Sequence, residues 1–326
     1  MSARYTEILS DVDLALLARA GSVPGGSAAA DALRVHPFLI GEALSRRSTF
    51  RSLGLDSHVT SGQAAALRTG DTAEAAVAIS DRLRLALVVH RCAADLVRSA
   101  YLADRLGDRV LLNDAPEAEL VQVVASTDLK IRLTELLSSY LQSNDVRLLP
   151  TDSPLDPSTE ASDANALMGM MDASSMDIAD ALSSHEIGAL IELLDGTPID
   201  AHAGIYRRLG DLALFVTGIF PDHGETRSVD ARLWSLVCRT VPVSVRERLE
   251  TTDPQTALGG DTLTALLTMM GPIWYRTAAR GISWPALADP LHRAADEFDA
   301  TAQFLTIACG RHLMEVRDEL FGFSLV

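Results

Sequence analysis

The chain has 326 residues, 48% apolar and only 5% aromatic, and a formal net charge of −16. A globule of this size buries about 75% of its unfolded surface, so no disulfide or metal staple is required. The charge balance excludes nucleic acid and anionic membrane as partners, because binding phosphate needs clustered cations. All but one of the 28 basic residues are arginine, the exception being Lys130. A Schiff base or phosphate-loop lysine could therefore only be Lys130, which has no glycine loop before it. Cys92, Cys238 and Cys309 are far apart and odd in number; buried reduced thiols in a cytoplasmic protein are expected. The N-terminal MSARYTEILSDVD is acidic and amphipathic, unlike a signal peptide, and no run of 18 apolar residues suggests a membrane span.

In chain order, residues 5–20 read as a first helix, with Ile8, Val12, Leu16 and Ala20 on one face. The glycines of GSVPGG, 21–26, break it; without a preceding strand or a GxGxxG spacing they read as a loop rather than an anion cradle. Helices follow over about 27–36 and 38–47. Arg46, Arg47 and Arg51 form a basic patch that suits either an acidic partner or a solvated helix end. Residues 52–72 look irregular, and a long helix is expected from about 72 to 106. Its middle is nearly all apolar and carries His90, which reads as a hydrogen-bonded core histidine rather than a ligand. Asp114 and Pro116 open another helix, to about 142.

The middle is the most unusual part. From Leu148 to Tyr206 there are 59 residues with eleven carboxylates and no lysine or arginine. Within it, 150–175 is rich in Pro, Ser, Thr and Asp and carries Met168, Met170 and Met171. It reads as an acidic linker or loop, or as a Met-rich docking element for a partner groove. The domain reading is thus an N-terminal helical region, 1–149, the acidic segment, 150–175, and a C-terminal helical bundle, 176–326. A helix is clear from Met176 to Asp195.

Next comes IYRRLGDLALFVTGIFPD, residues 205–222. Ile205, Leu209, Leu212, Phe215 and Ile219 share one helical face, and Leu214 and Val216 widen it, so cover on more than one side is expected. Phe220–Pro221 ends the helix, because the residue before proline is pushed out of the helical region. Asp211 interrupts the apolar pattern. Arg207 stands four residues before it, where an ion pair forms on a helix surface. The pair reads either as structural, at the edge of a core, or as polar groups facing a pocket. The pattern YRxLGDxxLFxxGxFP resembles one in a poorly characterised group of bacterial all-helical proteins. There it is followed by a glycine, an aromatic pair and a long closing helix, matched here by Gly271, Trp274–Tyr275 and the segment after Trp284. The resemblance covers about 180–320 and implies a helical fold, with no activity attached.

Further helices are expected over 229–249, with a kink near Pro242, and over 261–270, where Pro272 either stops the helix or starts the next, 273–280. Trp274 and Tyr275 read as core aromatics. The last helix is expected from about 285 to 321, with an apolar stripe from Leu287 to Leu320. His292, Asp296 and Asp299 fall on another stripe, and His312 and Glu315 lie one turn apart; both sets read as surface faces rather than metal ligands.

The expected fold is therefore all-α, a multi-helix bundle in two halves. No catalytic motif is present, so whether the chain is an enzyme stays open. The leading expectation is a cytosolic interaction or regulatory protein with a protein partner or self-association and no cofactor. The alternative is an enzyme or small-molecule binder, its pocket between helices 199–219, 272–280 and 285–321 and lined by Asp211, Arg207, Tyr275 and Trp274.

Overall fold

The computed structural model describes residues 4–23, 29–36, 38–53, 55, 79–106, 118–141, 187–222, 228–241, 246, 262–314 and 316–321. These residues form an all-α, multi-helix fold. The extended contact among them is a single antiparallel bridge between Ser228 and Thr262. The acidic segment 150–175 lies outside the described residues, as do Gly107, Pro116 and Pro242. By contacts the chain divides into two compact units, Met1–Gln142 with Gln303–Val326, and Ser143–Ala302.

In the first unit the helices are α1 (Arg4–Ile8), α2 (Asp11–Ala20), α3 (Ala29–Val35), α4 (Phe38–Ser45), α5 (Arg47–Ser52), α6 (Asp81–Leu106), α7 (Ala118–Ala125) and α8 (Thr127–Ser139). Every residue from Leu85 to Ala93 is buried, so this stretch of α6 is covered all round, as its nearly continuous apolar sequence demands. The other helices of the unit bury one face each. Leu17, Leu33, Ile40, Leu44 and Leu133 are each fully buried.

Two of the expected long helices are cut by serine. At Ser10 the hydroxyl accepts from the Asp13 N–H and the Asp13 carboxylate accepts from the Ser10 N–H, a capping box that ends α1 and starts α2. At Ser126 the hydroxyl accepts from the Leu129 N–H at 3.3 Å, separating α7 from α8. Ser80 caps α6 in the same way, through the Leu83 N–H at 3.1 Å. Apolar spacing passes straight through such a serine, whereas the hydroxyl competes locally for backbone N–H groups and restarts the helix.

The second unit contains α9 (Ile187–Gly196), a 3₁₀ turn (Ile199–Ala201), α10 (His202–Ile219), α11 (Ala231–Arg239), α12 (Leu263–Arg280) and α13 (Pro285–Asp296). Helices α10 and α12 lie antiparallel in close register. A methyl placed on Gly281 would meet Ala203, one on Gly210 would meet Tyr275, and one on Gly271 would meet Ala213. The residue numbers of these pairs fall on one side as they rise on the other, which defines the direction. Contrary to the sequence expectation, Pro272 neither stops nor starts a helix: α12 runs through it. The carbonyl that proline leaves without an N–H partner belongs to Thr268, which is exposed, and packing on α10 holds both halves of α12 in line.

The closing segment also differs from one long helix. It is divided into α13, α14 (Phe298–Ala308), a π turn (Cys309–Leu313) and α15 (Arg317–Phe321). The chain leaves helical geometry at Glu297, φ −98° and ψ 13°. Phe298, directly after this step, is 1% exposed and packs on Gly271. Beyond Ala302 the segment belongs with the first unit, not with a 176–326 bundle. There the His312 ring meets Phe50 edge-on, centroids 5.6 Å apart, and Leu313 and Phe321 are buried. An amphipathic stripe states that a helix face is covered, but not by which part of the chain.

Candidate functional site

Helix α10 carries the residues singled out by sequence. It is buried without interruption from Leu212 to Phe220, and Asp211 sits where that stretch begins. The Tyr275 hydroxyl on α12 donates to Asp211 Oδ1 at 2.7 Å. On the other carboxylate oxygen, Oδ2, Arg207 Nε stands at 3.7 Å, one turn earlier on α10. The Asp211 side chain is 17% exposed and that of Arg207 58%. The carboxylate thus has one short bond inward, from a ring that is itself buried, and a looser cation outward. A hydrogen bond to a charged acceptor contributes more than a neutral one, whereas an exposed pair at this separation contributes little.

Glycine makes this contact geometrically available. A Cβ on Gly210 would lie 2.9 Å from three atoms of the Tyr275 ring, so only a bare Cα lets the ring lie flat enough against α10 to reach the next residue, Asp211. Tyr275 is backed by Phe298, with centroids 6.3 Å apart. In the space expected to hold a ligand the helices therefore touch directly, through Tyr275 and Phe298.

Trp274 is not part of this group. One residue along α12 turns the side chain by about 100° around the helix axis. Its indole N–H donates instead to Thr240 Oγ1 at 2.9 Å, and the Thr240 hydroxyl donates to the Val237 carbonyl at 2.7 Å. Trp274 is fully buried. The structure brings together Asp211, Arg207 and Tyr275 and sends Trp274 into a separate core against α11.

A second buried polar group lies in the first unit and joins residues distant in sequence. His90, on the enclosed part of α6, is 1% exposed. Its Nε2 meets the Tyr5 hydroxyl, and its Nδ1 lies 3.1 Å from Ser45 Oγ. Burial pushes the imidazole down to about 3, with the positive charge of Lys130 adding to the effect. Burial likewise raises Tyr5, helped by the negative charge of Glu135. His90 is the bonded core histidine that its sequence setting suggested. Tyr5, 85 positions away, carried no sequence signal as its partner. Beside it, Cys92 is pushed by burial up to about 12, with Arg311 opposing and Asp95 adding, so this thiol is protonated and poorly nucleophilic at neutral pH.

Other charged side chains pair on the surface. Arg276 pairs with Asp296 at 2.9 Å, which takes one member of the stripe that also holds the exposed His292 and Asp299. Gly188, Glu192, Arg232 and Leu236 line a shallow concavity between α9 and α11, bridged by a Glu192–Arg232 pair at 3.0 Å. Among the described residues, no three His, Cys, Asp or Glu side chains are grouped so as to hold a metal ion. No described helix is long and apolar enough to cross a membrane.

These features define an all-α protein in which two inward polar contacts, Tyr275 with Asp211 and Tyr5 with His90, join separate helices. Compared with protein-family models, curated proteins and solved structures, the chain matches none.

Proposed function

We propose that the protein is a helical interaction or regulatory protein that acts by binding another polypeptide. One observation carries this reading: large apolar side chains stand in solvent at one end of the α10–α12 pair. The antiparallel register places the segment before α10 beside the segment after α12, since Gly281 approaches Ala203. At that end Ile199 is 80% exposed, Trp284 58% and Leu287 42%. A half-exposed tryptophan flanked by aliphatic side chains is the composition found at the centre of protein interfaces. Tyr275 and Asp211 are bonded to each other inside the helix pair, while Asp200 and Arg280 are exposed at this end and supply a polar rim to the apolar patch.

The experiment is affinity capture and mass photometry of the full chain beside Trp284→Ala and Leu287→Ala. A specific complex, with a second copy or another protein, is expected, and Trp284→Ala should weaken it about thirtyfold, the effect of losing a roughly 2 kcal/mol interface residue. Because the side chain is exposed, the thermal midpoint should barely move. A complex of unchanged affinity in both variants removes this end of the helix pair as the interface.

The alternative, a small-molecule binder or enzyme centred on Asp211, rests on the inward Tyr275–Asp211 bond beside Arg207. Asp211→Asn separates the readings. Asparagine keeps an acceptor for Tyr275 but loses the charge. Under the interaction reading, partner affinity is unchanged and folding is weakened by about 1 kcal/mol, as measured by urea denaturation. Loss of a small-molecule ligand or of turnover in this variant, with folding retained, would favour the pocket reading instead.

A further inference from the structure

Helix α1 is a single short helix held to its unit by the apolar side chains of Ile8 and Leu9 and by the ring of Tyr5, which is 1% exposed and supplies a polar contact inward. The Tyr5 ring lies 5.6 Å, centroid to centroid, from the imidazole of His90, and its hydroxyl meets Nε2. The direction of every proton follows from the far end of the chain of bonds. Ser45 Oγ donates to the Gly41 carbonyl at 2.7 Å. A hydroxyl has one proton, so at His90 Ser45 accepts, and Nδ1, 3.1 Å away, carries the hydrogen. Nε2 is then the acceptor for the Tyr5 O–H. A second proton on the imidazole has only Nε2 to occupy, where it meets the hydroxyl that now donates there.

We propose that α1 is an acid-released clasp, closed over His90 while the imidazole is neutral and lifted when the imidazole takes up a proton. The groups around it do not compensate a new positive charge. On α8, Lys130 faces His90 with the same sign, while Glu135 acts on Tyr5. On α6 itself Arg91 is engaged with Asp95 at 2.6 Å. The charged residues of α4, α5 and α7 near this region, Glu42, Arg47, Arg51 and Glu119, are exposed. The sign of the pH effect follows. Closed, the imidazole is held down to about 3; once uncovered it returns to about 6.5. Between these values the open form binds a proton that the closed form does not. Opening therefore grows about tenfold for each pH unit well below about 6.5 and is insensitive to pH well above it.

The test is amide hydrogen exchange of the full chain at pH 7.5, 6.5 and 5.5, each rate divided by its intrinsic value. The reporter is the start of the chain, where the Leu9 N–H donates to the Tyr5 carbonyl at 2.9 Å. Protection of the Leu9 amide should fall about fivefold between pH 6.5 and 5.5, and less than about twofold between 7.5 and 6.5, while that of residues 85–93 in α6 holds. In His90→Gln the profile should be flat. If that variant does not fold, Tyr5→Phe keeps His90 and should show wider opening at pH 7.5 with the same slope below 6.5. Flat protection in the wild-type chain, or equal loss in α6, overturns the clasp.

Discussion

Gly271→Ala is expected to destabilise the α10–α12 unit by about 1–3 kcal/mol, although alanine is normally about 1 kcal/mol better than glycine inside a helix. The sign reverses because of what the added methyl would meet. It would lie 2.3 Å from Phe298 Cε2 and 2.4 Å from Cζ, with the Ala213 methyl at 3.2 Å on the other side. Phe298 is 1% exposed and the helix backbones are already in close register, so the ring has no solvent to swing into. Denaturant unfolding followed by circular dichroism measures the loss. The cause is tested by a double-mutant cycle with Phe298→Leu, which removes the two ring atoms in question. The pair should couple by 1 kcal/mol or more in the favourable direction. A Gly271→Ala protein as stable as wild type would mean that α10, α12 and Phe298 are not packed this closely.

Trp274→Ala should cost about 3–5 kcal/mol, the range for truncating a buried aromatic side chain to alanine. The side chain is fully buried, and its indole N–H bond to Thr240 ties α12 to α11 across 34 positions of sequence. Trp274→Phe separates packing from bonding. It keeps most of the ring volume but leaves the Thr240 oxygen without its donor, a loss of about 1–2 kcal/mol. Calorimetry of the three proteins reads the series. Partner affinity, measured at a temperature where all three are folded, should not follow it. A cost below about 1 kcal/mol for the alanine variant would show that the indole is not held in the core.

The contrast between Trp274 and Tyr275 shows where reading the sequence stops. Both are aromatic, adjacent and on an apolar helix, and both were candidate pocket residues. Their neighbours are set by a turn of about 100° and by which helix stands on each side, and neither quantity is written in the local pattern. Asp211 was legible as an anomaly, and Arg207 as its partner, because four residues along a helix is a local relation. Tyr275 as the inward donor was not, since 64 positions separate it from Asp211. The serine breaks are a different case. Ser10–x–x–Asp13 is a capping signature within four residues, and it was legible in principle, but the apolar spacing on either side suggested one continuous helix.

By itself the sequence determined the helical class, the continuous burial of α10 from Leu212 and of α6 around Val89, and the end of α10 at Phe220–Pro221. Each of these follows from spacing and backbone preference within one or two turns. The tertiary structure decided that α12 passes through Pro272, that the residues after Ala302 join the first unit, and that Gly210 and Gly271 are contact points for aromatic rings. Those outcomes depend on close approach between segments far apart along the chain. A helix pattern states how much of a surface must be covered and says nothing of what covers it.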